Sequence, residues 1–124
     1  MKDKVLMVFR ILFGLMMVNS GLNKFLQYMP MPEMTPEAGA LMGAFLEAGY
    51  MFPLVAVVEL VAGAMIISKR FNALGAVLMM PITVNIFLIH TVLDPAGFVM
   101  GAILLALNIW FLLDNKEKFN DLIA

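Results

Sequence analysis

Residues 53–67 read PLVAVVELVAGAMII, an apolar run interrupted by one carboxylate, Glu59. An ionised carboxylate facing acyl chains costs about 2.5 to 3.5 kcal/mol on insertion scales. If this run crosses a bilayer, Glu59 must therefore face other helices. Its neighbours at i−3, i+3 and i+4 are Ala56, Ala62 and Gly63, small enough to admit another helix's backbone or a bound molecule. The run predicts one member of a packed membrane bundle.

The remaining sequence supplies the other members. Of 124 residues, 63% are hydrophobic, and the mean hydropathy is +0.96, above what soluble domains carry. Stretches at about 5–28, 51–68, 71–93 and 96–114 are each long enough to span hydrocarbon, because roughly 20 helical residues cover ~30 Å. With 29–50 as an outer loop, residues 1–124 read as a single transmembrane domain. The opening MKDK imitates a signal peptide, but the following run is too long, Arg10 interrupts it and no A-x-A-like site follows, so it reads as an uncleaved first span.

Composition also excludes several functions. Cysteine is absent, which removes dithiol exchange, disulfides and thiolate metal sites, so redox chemistry would need a borrowed cofactor. The 13 methionines suit flexible packing against lipid or a ligand. A net charge of −1 with scattered basic residues offers no nucleic-acid patch. No phosphate loop, nucleophile elbow or metal-ligand spacing occurs, and a lone histidine, His90, provides neither a bis-His haem site nor a zinc cluster.

Charge sets the topology. Lys2, Lys4 and Arg10 lie near the start of the first span, Lys69 and Arg70 join spans two and three, and Lys116 and Lys118 follow span four. The opposite loops carry Glu33, Glu37, Glu47 and Asp94. By the positive-inside rule both termini are cytoplasmic and the long loop faces outward, in a bacterial-type inner membrane. The turns SKRFN and DPAG are short enough to enforce antiparallel hairpins, giving an all-α, up-down four-helix bundle. In the outer loop, prolines 30 and 32 force extended or turn backbone, and then Thr35, Pro36 and Glu37 predict a short extra helix over about 36–48. Its Gly39-xxx-Gly43 and Ala40-xxx-Ala44 stripes suit either a lid lying closely over the bundle or a plain connector.

Depth along the spans assembles the polar residues. At ~1.5 Å per residue, Lys24 and Asn23 lie roughly 6 to 8 Å below the outer boundary, Asn19 and Ser20 roughly 12 to 14 Å, and Glu59 and Asn85 roughly 12 Å. Ser20, Asn23, Lys24 and Gln27 follow i, i+3, i+4, i+7 spacing, which gathers them into one stripe. Glu59 has three available fates: an ion pair with Lys24, an ion pair with Arg10, or a neutral carboxyl favoured by burial. Toward the cytoplasm, Arg10 and Asn108 both lie roughly 8 to 9 Å from the boundary, which allows a hydrogen bond between spans one and four. Arg10 snorkelling to headgroups fits equally. Asn108 shares a face with Gly97 and Gly101, suited to close helix contact. His90 follows Asn85 by about 140° of helical rotation, so both cannot point squarely into one pocket, and Pro81 can kink the third span and rotate its outer half relative to the inner.

These residues carry a family resemblance. RILFGLMMVNSGLNKF (10–25) resembles the first helix of DoxX-like membrane proteins, with Arg10, Gly14, Gly21, Lys24 and Phe25 in the family's places. Residues 53–80 resemble its second helix, basic turn and third helix through Glu59 and Gly63, and ALNIWFLLD resembles its final helix through Asn108. The resemblance implies a four-helix bundle acting beside a membrane redox system, or as an assembly chaperone. On the first reading the protein is an accessory subunit that binds a quinone or similar lipophilic molecule in an outward-opening polar pocket. Asn19, Ser20, Asn23, Lys24, Asn85 and His90 are its candidate ligands, and Glu59 is a ligand that also relays a proton. The partners are then membrane lipid, a membrane redox protein and further copies of the chain. On the second reading the ionisable residues lock a non-enzymatic scaffold. A small-solute carrier is the third reading, with little support from four spans lacking an internal repeat.

Overall fold

The computed structural model describes residues 2–29 and 33–120; Pro30 and Pro32, which the sequence places in the long loop's turn, lie outside them. Helices α1 (Lys2–Leu26), α2 (Pro36–Ala48), α3 (Met51–Ile67), α4 (Asn72–Leu88) and α5 (Phe98–Asp114) follow in order. A π-helical turn at Ile89–Leu93 prolongs α4, and short 3-10 turns occupy Pro95–Gly97 and Lys116–Phe119. Helices α1, α3, α4 and α5 form the up-down bundle, with α3 between α1 and α4. The stretches Asp3–Leu26, Asn72–Leu93 and Pro95–Asp114 are each long and apolar enough to cross a membrane, and α2, bent 95° from α3, completes a fourth, broken candidate with it. The first helix begins at Lys2 and stops at Leu26, rather than running 5–28.

Between membrane helices, water provides no hydrophobic drive, so association rests on how closely backbones approach. Here α1 and α3 meet at two levels, seven residues apart on each helix. A Cβ added to Gly14 would lie 2.7 Å from the Gly63 carbonyl oxygen, and one added to Gly21 would lie 2.8 Å from the Ala56 oxygen. The small residues flanking Glu59 thus make room for α1 itself. Gly75 does the same for α4 against α3, its Cβ position falling 2.8 Å from the Ala62 oxygen.

The α2 stripe has no such role. Among the described residues, a Cβ on Gly43 would meet nothing within 4 Å, and one on Gly39 would meet only Met34, at 3.9 Å. Instead α2 buries Ala38 and sets Phe45 edge-on against Phe52 of α3. Its start is capped as the sequence requires: Thr35 Oγ1 accepts from the Ala38 N–H at 3.2 Å, with Pro36 and Glu37 in the first turn. The same hydroxyl donates to the Leu93 carbonyl, which ties α2 to the end of α4.

At the end of the bundle where α1 begins and α5 ends, these two helices share an aromatic seam. Phe13 stands edge-on to Phe111 with centroids 5.3 Å apart, and Phe9 to Trp110 at 5.8 Å. Helices α4 and α5 are joined by buried polar groups: Asn108 Nδ2 donates to the Ala76 carbonyl at 3.0 Å, and Oδ1 receives the Thr83 hydroxyl at 2.8 Å. The expected Arg10–Asn108 contact is not made. Asn108 lies on the α5 face defined by Gly101, Leu104 and Phe111 and points at α4, whereas Arg10 Nη2 reaches the Ile67 carbonyl at 3.5 Å. That oxygen lies at the C-terminus of α3, where carbonyls lack helical donors and a cation is favoured. A double-mutant cycle on Asn108→Ala and Thr83→Val should return a coupling of about 0.6 kcal/mol, and no more than ~1.7 kcal/mol. Arg10→Ala and Asn108→Ala should be additive in the same unfolding assay.

Candidate functional site: a buried ion pair beside a lateral cleft

Helical side chains lean toward the N-terminus of their own helix. On α1, Lys24 therefore leans back from the loop end toward the middle of the bundle. On antiparallel α3, Glu59 leans toward the loop end. The two meet, with Lys24 Nζ 2.6 Å from Glu59 Oε1. The ammonium also donates to Ser20 Oγ, one turn back on α1, at 2.9 Å. Glu59 is only 1% exposed, whereas the Lys24 side chain retains 23% exposure. Of the two cations the sequence offers Glu59, the geometry places Lys24 beside it, and Arg10 is engaged at the Ile67 carbonyl.

The other polar residues of α1 serve the chain reversal after it. Asn23 Oδ1 accepts the Met29 backbone N–H at 2.8 Å. Asn19 Nδ2 approaches Met29 Sδ at 3.4 Å, and the Tyr28 hydroxyl donates to Asn19 through its backbone and side-chain oxygens. Between them Gln27 adopts φ 53°, the left-handed conformation, so it leaves the helical stripe. Polarity on this helix therefore has two jobs: Ser20 and Lys24 hold the carboxylate, while Asn19 and Asn23 fold residues 27–29 back over the helix end.

Beyond the aromatic seam, toward the loop end, a cleft of about 220 Å³ opens between α1 and α5. Met16, Met17, Asn19, Ser20, Asn23 and Met29 line one side, Leu104 the other, and Glu59 and Ile86 contribute from α3 and α4. Met29, just beyond α1, is part of the cleft wall; among the described residues α2 contributes nothing to it. Asn85 is exposed and outside it. The inward face of α4 is Ala76, Met79 and Thr83, continued by half-buried Ile86, and a residue two positions after Thr83 is turned away from that face. His90 is also outside the cleft. It sits in the π-helical turn with Nδ1 3.3 Å from the Asp94 carbonyl oxygen and its ring packed on Gly97, closing the α4–α5 connection. Thr83, fully buried against Asn108, went unrecognised in the sequence because a hydroxyl in an apolar run gives no hydropathy signal. The spacing 76, 79, 83, 86 would have marked its face.

An ion pair buried between the first two spanning helices, a small-residue seam beneath it and a short basic turn to the third define a small, multi-pass, four-helix membrane protein. The chain matches the DoxX family over residues 5–92, from α1 to the π-helical turn, and it belongs to that family. Helix α5 lies beyond the matched residues, so the likeness of residues 106–114 rests on their sequence alone. No curated protein and no solved structure matched the chain.

Proposed function

We propose that this protein is an accessory subunit of a membrane redox system and admits the headgroup of a quinone or similar lipophilic molecule to the cleft between α1 and α5. One observation supports this above others. Glu59 lines the cleft while only its Oε1 is bound to Lys24, and among the described residues no donor reaches Oε2. A carboxylate held in place by an ammonium, with one oxygen free toward a cavity, can take a proton from a bound headgroup or return one. Asn23 and Ser20 lie within the same cleft. At about 220 Å³ the cleft is smaller than the roughly 300 to 1,000 Å³ of drug-sized sites, so a ring enters and its tail stays among acyl chains. Electrons pass to or from a partner protein.

The orientation belongs to the same proposal. Lys4, Arg10, Lys69, Arg70, Lys116 and Lys118 fall at the end of the bundle where α1 begins, α5 ends and α3 turns into α4. The positive-inside rule makes that end cytoplasmic in an inner membrane, with the cleft in the outward half.

Organic extracts of the purified chain provide the test. A redox-active lipid should be enriched over the surrounding membrane extract and lost in a folded Glu59→Gln variant. Absence of any such lipid from the unmutated chain, together with capture of a membrane protein on crosslinking, would replace this reading with the scaffold. The glycine seam and ion pair would then be the whole purpose of the buried polarity.

A further inference from the structure

The acceptors and donors facing the cleft are unequal, and the inequality bears on what enters it. Among the described residues, the acceptor oxygens of Asn19 and Asn23 are occupied by Tyr28 and by the Met29 N–H. The Asn19 amide nitrogen is turned to Met29 Sδ. Lys24 directs two of its three N–H groups to Ser20 Oγ and Glu59 Oε1, and it is not part of the cleft wall. What remains for a headgroup is the strong acceptor Glu59 Oε2, with the second N–H of the Asn19 amide, the Asn23 amide and the Ser20 hydroxyl as weaker, neutral donors. A hydroxyl satisfies both kinds at once, donating to the carboxylate and accepting from a donor. A carbonyl oxygen only accepts: beside Glu59 it leaves the carboxylate oxygen without a proton and sets two lone-pair-bearing oxygens against each other. Hydrogen bonds to charged groups are the strong ones, and an unmet buried acceptor is costly.

We infer that the cleft selects lipid-borne molecules whose headgroup carries a hydroxyl, so that it holds the hydroquinone form of a redox couple in preference to the quinone. This rests on the ligand-binding reading given above and adds to it which member of the pair is the resident. The shared chemistry is an aromatic hydroxyl at Glu59 with an apolar tail leaving between α1 and α5, whether the molecule is a redox carrier or a simple phenolic lipid.

The experiment uses the full chain in lipid nanodiscs under anaerobic conditions, with three probes of equal tail length: a decyl benzoquinone, its hydroquinone and a decylphenol. Calorimetric titration of the unmutated protein should show the hydroquinone binding about tenfold or more tightly than the quinone, with the phenol bound as well. Glu59→Gln, which lacks the charged acceptor, should erase that ratio by loss of the hydroquinone. Because the ratio is read on the unmutated chain, failure of the variant to fold does not decide the matter. Equal or tighter binding of the quinone overturns the inference. Binding of the phenol without the hydroquinone overturns the inference as well, because both present the hydroxyl that Glu59 is inferred to read. No binding of any probe overturns both.

Discussion

Lys24→Met should destabilise the bundle by about 3 to 5 kcal/mol, whereas Glu59→Gln should cost only about 1 to 2 kcal/mol. The asymmetry follows from exposure. Glu59 is 1% exposed and fixed on α3, so losing its partner strands a carboxylate with nowhere to go. Lys24 keeps 23% of its side chain exposed near the loop end, and once Glu59 is neutral its ammonium can extend along its own stem to the headgroup layer. Removing both charges together, in Lys24→Met combined with Glu59→Leu, should restore most of the loss, since a buried pair adds little over packed apolar groups of similar size. Reversible unfolding in mixed micelles reads all three. Equal costs for the two single variants would show that the ammonium is as trapped as the carboxylate.

Gly63→Val should cost about 1 to 3 kcal/mol and should also loosen the ion pair above it. Even the first carbon of the new side chain would sit 2.9 Å from the Gly14 carbonyl oxygen and 3.2 Å from Met17 Cβ, so α1 must move away bodily. Lys24 rides on α1, and its hold on Glu59 is lost as the helices part. Gly43→Val on α2 is the matched control: among the described residues nothing lies within 4 Å of its Cβ position, so its cost should stay within about 0.5 kcal/mol. If the two variants melt together, the α1–α3 contact is looser than the geometry describes.

How far the sequence alone could reach depends on which coordinate each residue needed. Hydropathy located the spanning helices, and the expense of a carboxylate in hydrocarbon was sufficient to turn Glu59 inward. Lys24 was legible as its partner because rise along the helix and the backward lean of side chains act along one axis. Asn85 and the Arg10–Asn108 pair were placed by depth alone, and depth says nothing about rotation about the helix axis. Asn85 shares its level with Glu59 yet faces away, and Arg10 and Asn108 address different neighbours. The roles of Asn19 and Asn23 depend on a chain reversal beginning at Gln27, whose left-handed conformation has no signature in a non-glycine residue. Small-residue stripes were similarly ambiguous: Gly14 and Gly63 seat helices against each other, while Gly39 and Gly43 on α2 do not.

Helix α3 has 17 residues and α1 has 25, so at ~1.5 Å per residue they rise about 25 Å and about 37 Å. One falls short of a ~30 Å hydrocarbon slab and the other exceeds it. Lipids beside α3 are expected to shorten or splay to meet its ends, at a fraction of a kcal/mol per ångström, whereas the surplus of α1 includes the charged Asp3 and Lys4, which belong in the headgroup layer and require no tilt. A thinner bilayer on the α3 side of the bundle is the expected consequence.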